Sequence, residues 1–257
     1  MRTIATIDEL RRELKPLRGS SSVGLVPTMG AFHEGHLSLV RAARAENDVV
    51  VASLFLNPAQ FAPAEDLDAY PRDPEQDRAR AEQEGVDLLF TPSAEEMYPP
   101  GFQTWVDVEE LSRQLEGRHR PDHFRGVATV CLKLFNIVRP ERAYFGQKDA
   151  QQAAVIKRLV RDLNLELEIR VLPTVRDPDG LALSSRNAHL SPEEREAALA
   201  LPRALATRDR ERARQLLRDL EVDYVEVADF DPPVLAAAVR IGRTRLIDNV
   251  PLEGEPT

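Results

Sequence analysis

Cysteine is almost missing from this chain. Cys131 stands alone among 257 residues, so no internal disulfide can staple the fold, and a reducing, cytoplasmic compartment is expected. Its setting, Val127-Ala128-Thr129-Val130-Cys131-Leu132, is apolar and reads as a small buried hydrophobe. No run approaches the ~18 consecutive apolar residues that suggest a membrane span. The N-terminus, Met1 to Lys15, is charged and amphipathic and lacks the pattern of a signal peptide. There Ile4, Ile7, Leu10 and Leu14 recur at helical spacing and predict a surface helix. Basic charge is in deficit, with 34 Lys and Arg against 43 Asp and Glu for a net charge of −9. That balance argues against a nucleic-acid partner, which needs a basic face, but leaves room for a few cations around a small anion. Two nucleotide signatures are also missing: neither a Gly-x-x-x-x-Gly-Lys-Ser/Thr phosphate loop nor a Gly-x-Gly-x-x-Gly fingerprint occurs.

What is present is the composition of an ordinary globular protein, 42% apolar and 30% charged, able to bury a core. Strand-like and helix-like stretches alternate. Val23 to Val26 predicts a strand, Glu34 to Glu46 a helix, and Val49 to Leu56 a strand buried on both faces. Asp73 to Glu84 predicts a charged helix, Val86 to Phe90 a strand, and His123 to Val138 a buried helix stopped by Pro140. Arg142 to Phe145, Ala150 to Leu163 and Leu165 to Leu172 continue as strand, helix, strand. This order implies an α/β protein with a Rossmann-like parallel sheet and helices on both faces. After Arg186 the pattern changes. Ser191-Pro192-Glu193-Glu194 has the N-cap, the N1 proline and the acidic first turn of a new helix. A charged helix follows near Arg208 to Leu220, then short alternating runs at Tyr224 to Val227, Val234 to Ile241 and Thr244 to Asp248. The expectation is two domains, residues 1–176 Rossmann-like and 177–257 a smaller α+β domain, the last few residues frayed.

Ligands of an open parallel sheet bind outside the carboxyl ends of its strands, so the segments that follow the strands carry the functional signal. After Val26 comes Pro27-Thr28-Met29-Gly30-Ala31-Phe32-His33-Glu34-Gly35-His36. Asn57-Pro58-Ala59-Gln60-Phe61 follows Leu56, Gly146-Gln147-Lys148-Asp149 follows Phe145, and Pro173-Thr174-Val175-Arg176 follows Leu172. His33 and His36 open a helix three residues apart, a spacing that lets both imidazoles face one ligand. The amides and dipole of that helix start favour phosphate, and Gly35 leaves room for a nucleotide against the backbone. A metal site there lacks zincin spacing and any nearby cysteine, and two ordinary surface histidines would be the reading if the pair stood alone. Lys148 is a candidate phosphate clamp, although a single lysine is usually just solvated. Leu183-Ser184-Ser185-Arg186-Asn187, after the Asp177-Pro178-Asp179-Gly180 turn, offers hydroxyls and a guanidinium to phosphate oxygens. It would serve equally as a capped turn.

These segments resemble the signatures of the pantothenate synthetases, or pantoate–β-alanine ligases. The resemblance is carried by Pro27 to Leu37, Phe55-Leu56-Asn57-Pro58-Ala59-Gln60-Phe61, Asp66-Leu67-Asp68-Ala69-Tyr70-Pro71-Arg72, Phe145 to Gln152 and Asp179 to Asn187. It runs in order from about residue 20 to 190 and resumes at Gly242-Arg243-Thr244-Arg245-Leu246-Ile247-Asp248-Asn249. It implies two steps: ATP and pantoate give pantoyl adenylate and pyrophosphate, and β-alanine then attacks the acyl carbon to release pantothenate and AMP. Carried over by position, Met29, Gly30, Ala31, Phe32, His33, Glu34, Gly35 and His36 line the ATP site, His36 as proton donor and His33 on a phosphate. Gly146, Gln147, Lys148, Asp149, Val175, Leu183, Ser184, Ser185 and Arg186 supply the remaining ATP contacts, with Lys148, Ser184, Ser185 and Arg186 on phosphates. Gln60 and Gln152 hold pantoate, and Gln60 borders β-alanine.

The resemblance further implies Mg²⁺ travelling with ATP, a homodimer, and a C-terminal domain that acts as a lid against hydrolysis of the adenylate. Around Glu75-Gln76-Asp77, acidic positions bind metal in some relatives. Here Gln76 and Arg80 interrupt that pattern and leave only Asp77, so no protein metal site is assigned. The stretch between Leu190 and Val222 is short for the family. Two other readings stand beside this one. A nucleotidylyltransferase that passes AMP to a phosphate is disfavoured by Gln60 and Gln152, which suit a hydroxy acid. A tRNA-binding module of synthetase ancestry is disfavoured by the acidic balance.

Overall fold

The computed structural model describes residues 1–61, 67 and 70–253. Asp66, Asp68 and Ala69 of the Asp66–Arg72 motif therefore lie outside the described residues, as do Gly254 to Thr257 of the expected frayed end. The chain runs β1 (Arg2–Ile4), α1 (Ile7–Leu14), β2 (Val23–Thr28), α2 (Glu34–Glu46), β3 (Val49–Leu54), α3 (Pro74–Gln83), β4 (Leu88–Phe90), α4 (Ala94–Met97), α5 (Leu115–His119), α6 (His123–Val138), β5 (Arg142–Gly146), α7 (Ala150–Asp162) and β6 (Glu168–Leu172). It continues α8 (Pro192–Ala198), α9 (Ala200–Leu205), α10 (Arg210–Leu216), β7 (Glu221–Ala228), β8 (Val234–Ile241) and β9 (Thr244–Pro251).

The chain folds into two compact units. The first takes Met1–Phe32, His36–Phe145 and Val155–Arg170; the second takes His33–Gly35, Gly146–Ala154 and Val171 onward. A six-stranded sheet in the order β1-β4-β3-β2-β5-β6 organises the first, and the β1–β4, β4–β3, β3–β2 and β2–β5 pairs are parallel. The β2 and β3 segments, Val-Gly-Leu-Val-Pro-Thr and Val-Val-Val-Ala-Ser-Leu, are buried along most of their length, as expected where helices cover both faces. The strand order reverses between β2 and β5, the point outside whose carboxyl ends a sheet of this kind holds its ligands. The Rossmann-like expectation is met.

Two local expectations change. The N-terminal helix begins only at Ile7, capped by Thr6, whose side chain accepts the Glu9 N–H. Ile4 instead lies in β1, beside Phe90 of β4, and is 1% exposed. A three-residue edge strand is too short for its period to compete with the helical one that follows. In addition, β2 outlasts Pro27. That residue has no N–H for the ladder, but Thr28 N–H donates to Ser53 Oγ at 3.3 Å and Thr28 Oγ1 to Ser53 O at 2.6 Å. The side chains thus carry the pairing past the proline.

Helix α6 spans His123–Val138 and ends where the residues that follow it dictate: Arg139 takes φ 50, its N–H donates to Phe135 O, and Pro140 forbids a further turn. In the second unit β7, β8 and β9 form an antiparallel sheet in that order. A positive-φ glycine, Gly242 at φ 56, makes the β8–β9 turn. Leu201, Leu205, Leu217, Val225, Leu235 and Val239 belong to the buried apolar cluster of this unit. The N-cap and N1 proline read at Ser191 and Pro192 are present at the start of α8, where Glu194 completes a capping box.

Candidate active site

The turn after β2 is built on two successive residues of positive φ, Gly30 at 96 and Ala31 at 53. Glycine takes this conformation readily, whereas alanine does so against a steric penalty. The turn is held from α3. Asp77, 3% exposed, accepts the Ala31 N–H on Oδ2 at 2.8 Å and the Phe32 N–H on Oδ1 at 2.6 Å, and Arg80 donates to Phe32 O. Phe32 is 2% exposed, and its ring stands 5.7 Å from that of His36 at 44°. Backbone amides thus engage both oxygens of Asp77.

His33 immediately precedes α2 and accepts the Gly35 N–H on Nδ1 at 3.2 Å, satisfying one of the orphan donors of a helix start. A Cβ on Gly35 would lie 2.9 Å from the His33 ring. A side chain at Gly35 would therefore collide with that imidazole.

Gln60 closes a 3-10 turn, Pro58–Gln60, capped by Asn57. Asn57 Oδ1 accepts from Ala59 N at 3.2 Å and from the Tyr98 hydroxyl at 2.9 Å, while Nδ2 donates to Gln60 Oε1 at 2.9 Å and to Gly126 O at 3.2 Å. Burial pushes the Tyr98 hydroxyl above its ordinary range, which keeps it a proton donor to Asn57. His123 Nδ1, 2.9 Å from Gln60 O, and Arg120 at 3.4 Å hold that carbonyl. Gly126 of α6 packs directly on the turn: a Cβ there would meet Ala59 O at 2.2 Å.

In the second unit, Lys148 follows Gln147 in a 3-10 turn at the end of β5. Asn249 of β9 grips this turn. Its Nδ2 donates to Gln147 O and Lys148 O, each at 2.9 Å, and its Oδ1 accepts from Gln147 Nε2 at 2.9 Å. The adjacent Asp248 accepts two bonds from Arg176, at 2.7 and 3.1 Å, the paired geometry that suits a guanidinium. Val175 and Leu183 meet through Leu183 N–H to Val175 O at 3.0 Å. Ser184 caps the Ser185–His189 turn, its Oγ accepting the Arg186 N–H at 3.3 Å. Lys148, Ser184, Arg186, Asn187, Arg245 and Asp248 line one shallow recess. Three cations and a hydroxyl meet there beside the Asp248 carboxylate, which Arg176 already pairs, so the surplus of positive charge suits an anion.

Comparison with known proteins identifies the family of the chain. A family profile described as pantoate-beta-alanine ligase matches residues 2–251. The chain belongs to the pantoate–β-alanine ligase family. The pantothenate synthetase of Roseiflexus castenholzii is 55% identical over 98% of this chain and 100% of its own length. That of Thermotoga neapolitana is 51% identical, over 97% and 99%. Among solved structures, the pantothenate synthetase of Thermus thermophilus superposes with a TM-score of 0.93 at 46% identity, covering 99% of this chain and all of that one. The Francisella tularensis pantoate-beta-alanine ligase, solved in complex with beta-gamma ATP and beta-alanine, superposes with a TM-score of 0.89 at 37% identity, both chains fully covered. The alignment with the Roseiflexus protein spans 279 positions against 257 residues here, so at least 22 of those positions have no counterpart in this chain. Family, fold and ligase class thus stand as the sequence led us to expect.

Within this pantoate–β-alanine ligase fold, Met29, Gly30, Ala31, Phe32, His36 and Gln60 fall in the first unit. His33, Glu34, Gly35, Gly146 to Asp149, Gln152, Val175 and Leu183 to Arg186 fall in the second. The recess brings Lys148, Ser184 and Arg186 together. Sequence reasoning missed Arg245, which lines the same recess and pairs with Asp223 at 2.5 Å, and Asn249, which holds the lysine turn. The signal for both was available in the polar residues that flank the apolar pair Leu246-Ile247, but their partners are not near in sequence.

Proposed function

We propose that this ligase joins pantoate to β-alanine in two ATP-driven half-reactions at the residues described above. In the first, a pantoate carboxylate oxygen attacks the α-phosphorus of ATP, and the bond to the bridging oxygen breaks to release pyrophosphate. In the second, the amine of β-alanine attacks the acyl carbon, AMP leaves, and the amine loses a proton. Adenylation is needed because a carboxylate has no leaving group of its own. The protein supplies orientation and stabilises charge that develops on the departing groups.

Lys148 and Arg186 neutralise the phosphates and Ser184 and Ser185 donate hydrogen bonds to them; His36 donates a hydrogen bond to the leaving side, and His33 contacts a phosphate. Gln60 and Gln152 orient pantoate through its carboxylate and hydroxyls. The convergence of Lys148, Ser184 and Arg186 on one recess carries this reading. Magnesium enters as part of the substrate, MgATP, since Mg²⁺ is bound with few protein ligands beside phosphates. Among the described residues no group of three or more His, Cys, Asp or Glu side chains is placed to hold a metal. Residues 1–176 form the nucleotide- and pantoate-binding domain in this reading, and 177–257 a smaller lid, with the family's missing positions assigned to the stretch 190–222. A homodimer in the cytoplasm completes it; the fit of a lone buried cysteine to a reducing compartment supports the location, and light scattering at micromolar concentration reports the assembly. No helix among the described residues is long and apolar enough to cross a membrane.

The decisive assay is isotope exchange between pyrophosphate and ATP. Exchange requires pantoate and proceeds without β-alanine if an acyl adenylate forms. Exchange that is absent with pantoate, in an enzyme that still makes pantothenate from all three substrates, would replace the adenylate by a concerted route.

A further inference from the structure

We propose that Asp77 is a positioning residue for adenylation, acting through the Gly30–Phe32 turn on His36. The inference rests on the functional reading above and adds to it a residue from α3, a helix with no other part in the site. This helix is Pro-Glu-Gln-Asp-Arg-Ala-Arg-Ala-Glu-Gln, and Asp77 and Ala81 are its buried residues. It therefore contributes little apolar core, yet it buries a carboxylate to 3% exposure. A charge removed from water needs strong donors to be tolerated. Here the donors are the consecutive amides of Ala31 and Phe32, at 2.8 and 2.6 Å. Successive N–H groups beside a left-handed residue form a concave nest for an anion. Asp77 fills it from within the protein.

The same bonds hold the backbone in a conformation it does not prefer. Ala31 keeps φ 53 although an L-residue is disfavoured there, and charge-assisted hydrogen bonds are strong enough to compensate. Arg80, one turn further along α3, donates to Phe32 O, so both backbone polar groups of Phe32 are tied to this helix. The turn is also packed on the carboxylate, since a Cβ at Gly30 would lie 3.0 Å from Asp77 Oδ2 and from Leu54 Cδ1. Phe32 passes the constraint on through its ring contact with His36. A path of direct contacts thus runs from α3 through the turn to the imidazole, and Asp77 sets where the imidazole stands without touching substrate.

The test uses the full-length enzyme and pantoate-dependent pyrophosphate exchange. Asp77→Asn keeps the shape of the side chain but points an NH2 group at one of the two amides. We expect kcat to fall about ten-fold or more with the pantoate KM within about two-fold, the pattern of a misplaced catalytic group. In an Ala31→Gly background the same Asp77→Asn change is expected to cost about three-fold less, because glycine takes positive φ unaided. Raising Mg²⁺ is expected to recover nothing. Arg80→Gln, at a half-buried position, removes the second tether and is expected to lower kcat about three-fold, which keeps the proposal open to refutation if Asp77→Asn does not fold. Wild-type kcat in both variants, an equal loss in the Ala31→Gly background, or recovery by Mg²⁺ as for a metal ligand would each overturn it. Exchange lacking in the wild type would remove the functional reading and this proposal with it; exchange equal in wild type and Asp77→Asn would remove this proposal alone.

Discussion

Replacing Gly126 by alanine puts one methyl group between α6 and the turn that carries Gln60. The new Cβ would stand 2.2 Å from Ala59 O, 2.5 Å from Ala59 C and 2.7 Å from Gln60 N, and all three atoms are backbone, so no side chain can rotate out of the way. Relief requires α6 and the turn to separate by roughly 1 Å, given a van der Waals contact of about 3.5 Å or slightly less. In an open helix the change would gain about 1 kcal/mol of propensity. Overpacking costs about 1–3 kcal/mol, and contact with backbone argues for the upper end. The net loss is about 2 kcal/mol, which lowers the melting temperature by roughly 4–8 °C at this chain length. The functional loss is larger, because a displacement of about 1 Å at a substrate-orienting group can cost up to ~100-fold. Gln60 is held by Asn57, His123 and Arg120 around this same contact, so it moves with the turn. Pantoate-dependent pyrophosphate exchange measures kcat/KM for pantoate, expected to drop by about 10- to 100-fold, and calorimetry measures the melt. A variant that melts within about 1 °C of the wild type and exchanges within about two-fold would refute the reasoning, because it would mean that the contact yields at no cost.

Three further outcomes are expected. Lys148→Ala should reduce pyrophosphate exchange by about 100-fold or more while the melting temperature stays within about 2 °C, since a cation at a recess is removed and no core group is lost; near-normal exchange would show that the lysine does not serve the phosphates. Burial pushes the Cys131 thiol up to about 12, so thiolate is scarce at pH 8 and a disulfide reagent should label the native protein far more slowly than the protein in guanidinium; rapid native labelling would contradict the buried placement. Arg176→Ala leaves Asp248, whose side chain is 1% exposed, without its bidentate partner. Since the arginine side chain is one-third exposed and partly screened, we expect a loss of about 1–2 kcal/mol in denaturant unfolding, relieved by adding Asp248→Asn; an unchanged midpoint would count against the pair.

Much of this protein is legible in its residue order alone. The helix from His123 to Val138 is bounded by its apolar content and Pro140, the start of α8 by Ser191, Pro192 and Glu194, and the parallel sheet by the Val-rich runs of β2 and β3. All of these signals act within a turn or two of chain, so they are written locally. The family likeness is readable for a related reason: the chemistry demands particular residue types at the strand ends, in a fixed order. Other features have no local trace. Ile4 belongs to β1 only because β4, more than eighty positions later, lies beside it. Asp77 reads as a possible metal ligand by sequence, and only its bonds to Ala31 and Phe32, 46 and 45 positions away, make it a clamp. Gly126 looks like any glycine in a helix until the Gln60 turn is seen against it. Asn249 finds the lysine turn across 101 and 102 positions. Periodicity and capping determine which elements form, because their energies are short-ranged. Which buried polar group meets which backbone amide is decided by packing between elements, and that exists only once the chain has folded.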